Sequence, residues 1–191
     1  LRVGNERNVK QNKSFGATTL RTRHAKLTGK NIQLKYRAKS GKEREVNITD
    51  RVLSHVIKDL QDLPGQHLFQ YISEGERTNV TSSEINQYIQ HIMGEEFSAK
   101  HFRTWRASVI AFKQLAKAKG ALTLKSMLDC VSQQLGNTPA IARKSYVHPD
   151  LITLCKEDEA AQNAWRESLT LPRKAKYLSR YERGFLAFLS D

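Results

Sequence analysis

Between Ile32 and Ile48 apolar residues recur on alternate positions: Ile32, Leu34 and Tyr36 alternate with Gln33 and Lys35, and Val46 and Ile48 resume the pattern after Ser40-Gly41. A period of two predicts half-buried strands, and the Ser-Gly pair predicts a hairpin turn between them. Thr18, Thr19 and Leu20 are β-favouring as well, so residues 16–48 read as a small antiparallel sheet with Lys39 at the mouth of a turn. Residues 1–11 ahead of it read as helix.

Beyond Asn47 the period lengthens and helix follows helix. Thr49 is a plausible cap for a helix whose apolar face is Leu53, Val56, Ile57 and Leu60, ending before Pro64. Thr81-Ser82-Ser83-Glu84 has the form of a capping box, with Ile85, Ile89 and Ile92 behind it and Gly94 as a stop. From about Ser98, Phe102, Trp105, Val109 and Phe112 form a helical stripe assigned to core packing rather than to base stacking. Leu124, Met127, Leu128, Val131 and Leu135 form another that stops at Gly136. Two further helices are expected past Pro149, the last carrying Tyr181, Phe185 and Phe188, and Glu74-Gly75-Glu76 is the one turn that stands out between elements. The fold class is therefore α+β, mostly helical, with a small antiparallel sheet near the start followed by a helical lobe.

Charge adds a polarity to this picture. The 191 residues carry a net charge of +13, and residues 1–58 hold fifteen Lys or Arg against four Asp or Glu, whereas residues 59–191 hold seventeen against fifteen. Charge thus divides a single domain, 1–191, into a basic lobe, 1–58, and a helical lobe, 59–191. A concentrated excess of this kind suits a polyanion, because each phosphate neutralised releases condensed counterions. A solvated basic face without a partner, or one that meets anionic lipid, is the competing account. The apolar content of 39% supports a real core. No apolar run reaches membrane-spanning length and Leu1-Arg2-Val3-Gly4 lacks a signal-peptide stretch, so a cytoplasmic protein without a membrane partner is expected. Cys130 and Cys155 both lie in apolar helical surroundings and read as buried thiols. The start, without a capping residue or an initiator Met, looks cut from something longer.

Leu135-Gly136-Asn137-Thr138-Pro139 through Arg143-Lys144-Ser145-Tyr146 is the segment that points to chemistry. Thr138 suits an N-cap and Pro139 the first helical position, where a missing N–H costs nothing. The short helix so begun brings a phenol close to two cations. A single tyrosine in such company is most often a half-buried side chain with its hydroxyl in water, so the wider context has to decide.

That context is a series of ordered motifs: Leu1-Arg2-Val3-Gly4-Asn5-Glu6, Gly16-Ala17-Thr18-Thr19-Leu20-Arg21, Ala38-Lys39-Ser40-Gly41, Phe102-Arg103-Thr104-Trp105, and Gly136-Asn137-Thr138-Pro139 through Tyr146. Together they resemble the catalytic domain of type IB DNA topoisomerases, in the compact bacterial and poxvirus-like branch. Gln61-Asp62-Leu63-Pro64-Gly65, Leu68-Phe69-Gln70-Tyr71 and the closing Tyr181-Glu182-Arg183 through Phe188-Leu189 extend the resemblance over nearly the whole chain. It implies a tyrosine recombinase/topoisomerase IB-like fold lacking the family's N-terminal lobe, and duplex DNA as the partner of a nucleoid-associated monomer.

The resemblance also implies roles. Arg2 and Arg103 match the two active-site arginines, whose guanidiniums brace the non-bridging oxygens of a phosphodiester without a metal. Lys39 matches the hairpin lysine that protonates the departing 5′ oxygen, a task an ammonium performs and arginine does not. Tyr146 matches the nucleophile; a phenol ionises near pKa ~10, so it needs cations or a proton route to attack at neutral pH. Lys100 falls where relatives contact a DNA phosphate, and Arg143 and Lys144 are assigned to DNA as well. Asn137 departs from the histidine usual in poxvirus and eukaryotic enzymes and matches the asparagine of some bacterial ones; its amide still donates to a phosphate oxygen, though it carries no proton.

The implied activity is relaxation of supercoiled duplex DNA through a 3′-phosphotyrosyl intermediate, with neither ATP nor metal and no cofactor. Two alternatives stand beside it. A tyrosine recombinase shares the chemistry but usually shows His-x-x-Arg and Leu-Gly-His, where this chain has Lys100-His101-Phe102-Arg103 and Leu135-Gly136-Asn137. A non-catalytic DNA-binding module would have kept the fold and lost the reaction.

Overall fold

A computed structural model describes residues 2–190 and divides into two compact units, Leu1–Ala99 and Lys100–Asp191. The division falls well past residue 58, where charge alone drew it, because the chain beyond Pro64 packs back on residues 20–57. Leu68 is fully buried in one apolar cluster with Leu20, Ile32, Leu34 and Ile57, and its amide donates to the Leu20 carbonyl at 2.9 Å.

The first unit runs α1 (Glu6–Asn12), β1 (Ala25–Thr28), β2 (Asn31–Arg37), β3 (Glu43–Thr49), α2 (Arg51–Asp62), β4 (Gln70–Ser73), β5 (Glu76–Asn79) and α3 (Ser82–Met93). The alternation read in the sequence is that of β2, whose Ile32, Leu34 and Tyr36 are buried. It is the middle strand of an antiparallel sheet ordered β1-β2-β3, with Leu34 opposite Val46 and Ile32 opposite Ile48.

Four local expectations are corrected here. Of the helix expected over 1–11, Leu1 lies outside the described residues and α1 begins only at Glu6, with the Asn5 side chain accepting from the Arg7 amide at 2.8 Å. Thr18 and Thr19 form a 3-10 turn rather than a strand, since the Thr19 hydroxyl bonds both ends of Gly16 and such local bonds compete with a sheet ladder. Asp50, not Thr49, caps α2 by accepting from the Leu53 amide at 2.9 Å; Thr49 ends β3 and donates to Asn31. Val56, expected on the buried face of α2, is 46% exposed.

The turn at Glu74-Gly75 is where expected, with both residues at positive φ, but it joins two strands that periodicity did not show. Only Gln70 of β4 is buried and no residue of β5 is, so there is no core-facing row to mark the pattern. Thr81 and Glu84 form the predicted capping box of α3, although Ile92 at its far end is 60% exposed.

The second unit is all helix: α4 (Ala99–Lys117), α5 (Leu124–Leu135), α6 (Pro139–Ser145), α7 (Pro149–Leu154), α8 (Glu159–Ser168) and α9 (Arg180–Phe188). Three helices, not two, follow Pro149, because His148-Pro149 and Asp158-Glu159 each start one, with an N-cap side chain accepting from the Asp150 and Ala161 amides. Fully buried Phe112 of α4 centres the core, its ring centroid 5.6 Å from Trp165, 5.8 Å from Phe185 and 6.0 Å from Phe188. Burial of one such side chain stabilises by about 1.5–3 kcal/mol. Phe102, placed in this stripe by its spacing, is 55% exposed in the first turn of α4.

A polar residue also lies deep in this unit. Gln162 of α8 is 1% exposed; its side-chain oxygen accepts from the Leu122 amide at 2.9 Å, and its nitrogen donates to the Leu122 and Glu157 carbonyls at 3.3 and 3.1 Å. The amide so ties the loop before α5 to the start of α8. Cys155 is buried and Cys130 half-buried, and neither is bridged; burial pushes the Cys155 thiol up.

Candidate active site

Arg2 is fixed by backbone rather than by a helix. Its carbonyl accepts from the Ala17 amide at 2.8 Å, and the next carbonyl, of Val3, accepts from the Thr18 amide at 2.7 Å. These bonds draw two glycines face to face: a Cβ on Gly16 would lie 2.6 Å from the Gly4 Cα and 2.7 Å from the Arg2 carbonyl oxygen. Gly4 itself sits at φ +98, a backbone state that side chains with a Cβ rarely adopt. The string Arg-Val-Gly-Asn therefore needs the distant string Gly-Ala-Thr-Thr in order to hold its arginine.

Lys39 occupies the tip of the β2–β3 hairpin, as its sequence context suggested. The Ala38 amide donates to the Lys42 carbonyl at 2.7 Å and closes the tip, while Ser40 and Gly41 turn the chain with φ of 64 and 72. Arg2 and Lys39 line one cavity of about 540 Å³, together with Asn5, Asn8, Asn12 and Arg37. The amide-rich face of α1 so forms one wall beside the cations, a lining that sequence patterning did not single out. Asn5, Asn8 and Asn12 stand three to four residues apart on α1 or its cap, and that spacing was the available signal.

In the second unit, Arg103, Asn137 and Tyr146 gather around the ends of α5 and α6. α5 ends in Gly136, at φ 67 and ψ 43, where the Gly136 and Asn137 amides both donate to the Ser132 carbonyl at 2.8 and 3.2 Å. One residue later Thr138 caps α6 by accepting from the Ile141 amide, with Pro139 at the first turn. Asn137 is thereby held in the one-residue interval between a helix stop and a helix start, as the segment's composition predicted. Tyr146 is the C-cap of α6 and half-buried.

Arg103 reaches this segment from α4. One terminal nitrogen donates to the Leu135 carbonyl at 3.1 Å, and the guanidinium lies over the Tyr146 ring, 5.3 Å from its centroid. Three buried polar atoms here have no hydrogen-bond partner: the Arg103 Nε and both side-chain atoms of Asn137. Buried polar groups are ordinarily hydrogen-bonded, so donors without a protein partner make this a candidate place for an incoming polar group. A phosphate oxygen suits the N–H donors of both side chains.

The remaining assigned cations are exposed. Lys100 lies in the first turn of α4 and Arg143 and Lys144 in the last turn of α6, so the structure places Arg143 and Lys144 on the element that carries Tyr146. Arg2 and Lys39 are brought together in one unit, and Arg103, Asn137 and Tyr146 in the other. Sequence reasoning missed Ser108 of α4, whose hydroxyl donates to the Tyr146 carbonyl at 3.2 Å and accepts from the His148 amide at 3.0 Å.

The family model described as eukaryotic DNA topoisomerase I, catalytic core, matches residues 1–167. A curated relative named DNA topoisomerase 1B, from Acanthamoeba polyphaga mimivirus, is 36% identical over 162 residues, covering 77% of this chain and 48% of the relative. The chain belongs to the type IB DNA topoisomerase family. It spans about half the length of the relative it matches.

Proposed function

We propose that the chain is the catalytic part of a DNA topoisomerase that relaxes supercoiled duplex DNA by cutting and resealing one strand. The observation that carries this is the packing of Arg103 over Tyr146 beside buried, unpartnered donors on Arg103 and Asn137. Family membership and a cavity lined by Arg2 and Lys39 support it.

In this mechanism the Tyr146 hydroxyl oxygen attacks a backbone phosphorus. A phosphotyrosyl bond forms on the 3′ side, the bond to the 5′ oxygen breaks, and the phenol proton leaves to water. Lys39 gives a proton to the departing 5′ oxygen. Arg2 and Arg103 stabilise the charge of the five-coordinate transition state, as fixed donors aimed at developing charge do. Asn137 donates to a non-bridging oxygen. Lys100, Arg143 and Lys144 hold flanking phosphates, contacts that position DNA without reading its sequence. The free 5′ hydroxyl returns along the same path, so the energy of the broken bond is retained in the ester and no nucleotide is consumed.

In this reading the protein works as a monomer on DNA of the nucleoid. Incubation with supercoiled plasmid in EDTA without ATP, followed by denaturation, is expected to give relaxed circles and tyrosine-linked DNA. Tyr146→Phe is expected to give neither. An adduct persisting in that variant, or no relaxation by the parent protein, defeats the proposal.

A further inference from the structure

We infer that Ser108 is a positioning residue for the nucleophile, a role that rests on the function proposed above. Ser108 is 3% exposed and lies on α4 five residues after Arg103, about 7.5 Å along the helix axis. Its single hydroxyl grips the chain on both sides of Val147: it donates to the Tyr146 carbonyl at 3.2 Å and accepts from the His148 amide at 3.0 Å. The residues between have their own restraints. The Tyr146 and Val147 amides both donate to the Ala142 carbonyl, at 3.1 and 3.0 Å, and the Val147 side chain is buried.

The consequence is geometric. α6 ends at Ser145 and α7 starts at Pro149, so Tyr146 stands at the head of a link between helices, its amide closing the last turn of α6. On this link the Tyr146 carbonyl and the His148 amide both meet the Ser108 hydroxyl. Ser108 supplies both bonds from the helix that carries Arg103. One rigid element therefore sets the nucleophile's backbone and the guanidinium that lies over its ring. Attack in line on phosphorus is sensitive to such placement, and a displacement near 1 Å costs about 10²-fold in rate.

Loss of a hydroxyl with this role slows chemistry without weakening DNA binding. The loss slows cleavage and resealing alike, because both pass through one transition state. The test compares Ser108→Ala with Ser108→Thr, which keeps the hydroxyl, in the whole protein on a duplex oligonucleotide cleaved by the parent. Ser108→Ala is expected to form tyrosine-linked DNA about 10- to 100-fold more slowly at saturating duplex and to reach the same final adduct fraction. Affinity for uncleaved duplex, measured with Tyr146→Phe present, is expected to be unchanged within about twofold, and Ser108→Thr to recover most of the rate.

Undiminished cleavage by a folded Ser108→Ala protein overturns the inference. So does an affinity loss that accounts for the rate loss, or an equal defect in Ala and Thr variants, which would assign the effect to packing. A parent protein that forms no tyrosine-linked DNA overturns both this inference and the function on which it rests.

Discussion

At Gly16 a single hydrogen atom in place of a methyl lets the backbone that carries Arg2 pack close. A methyl at that position would meet the Gly4 backbone at 2.6 Å, and neither strand of backbone can yield as a flexible side chain would. Gly16→Ala is expected to cost about 1–3 kcal/mol, the range for overpacking, and to lower cleavage further by displacing Arg2; chemical denaturation and adduct formation measure the two effects separately. Arg103→Lys is a different kind of loss. The ammonium keeps the charge but gives up the planar fork that serves the Leu135 carbonyl and the Tyr146 ring together, and single-turnover cleavage is expected to fall about 10²–10³-fold, as for loss of one donor to a developing oxyanion. Asn137→His retains a donor and adds a proton carrier, so cleavage is expected to persist at a rate equal to or above the parent's; collapse of the reaction would show that the amide's shape matters more than its N–H. The motif strings singled out Arg2, Lys39, Arg103, Asn137 and Tyr146 as candidates, and the structure sets Arg2 beside one cavity with Lys39, and Arg103 over the Tyr146 ring. Ser108 was not singled out, since a buried serine in mid-helix has no pattern of its own and gains meaning only from the backbone it meets.

Two helices start with the same chemistry and are expected to differ in consequence. Thr81 accepts from the Glu84 amide at the head of α3, and Thr138 accepts from the Ile141 amide at the head of α6. Removal of either hydroxyl costs about 1 kcal/mol. Thr81→Ala is expected to lower thermal stability and leave the cleavage rate at saturating DNA unchanged. Thr138→Ala, with a similar loss of stability, is expected to slow cleavage as well, because α6 spans only Pro139–Ser145 and ends at Tyr146; melting curves beside single-turnover rates distinguish the cases. The junction of α5 and α6 was read most faithfully, since it is bounded by Gly136, Thr138 and Pro139, each with a local physical reason to stop or start a helix. The β4–β5 hairpin escaped because its strands bury so little, and the extended stretch before α1 escaped because its partners, Ala17 and Thr18, are distant in sequence. Local pattern cannot report a bond made to a remote segment.

Charge over the two units differs from charge along the chain. Residues 59–99 hold one Lys or Arg against seven Asp or Glu, so the basic excess of residues 1–58 is partly offset within the first unit, while residues 100–191 hold sixteen against eight. Both units are net basic. Duplex affinity of the Tyr146→Phe protein is accordingly expected to fall linearly in log K against log salt, with a slope near −0.9 for each phosphate contacted, and Lys100→Ala or Lys144→Ala to reduce that slope by about one unit each. In the first unit acid acts on two histidines. Burial, aided by Arg23 and Arg21, holds the His24 imidazole below its ordinary 6.5, and its Nδ1 accepts from the Arg21 amide, which protonation would forbid; burial beside Arg21 lowers His67 too. The unfolded chain thus takes up protons before the folded one does, so stability is expected to decline as pH falls below about 6.5, and His24→Gln to flatten that decline in melting curves. In the second unit the Gln162 amide leaves a different trace. Leu122 lies in an irregular segment between helices, where backbone N–H groups ordinarily exchange with solvent deuterium within seconds to minutes; clasped by a side chain that is 1% exposed, it is expected to exchange as slowly as the buried turns of α4, and Gln162→Ala to release it.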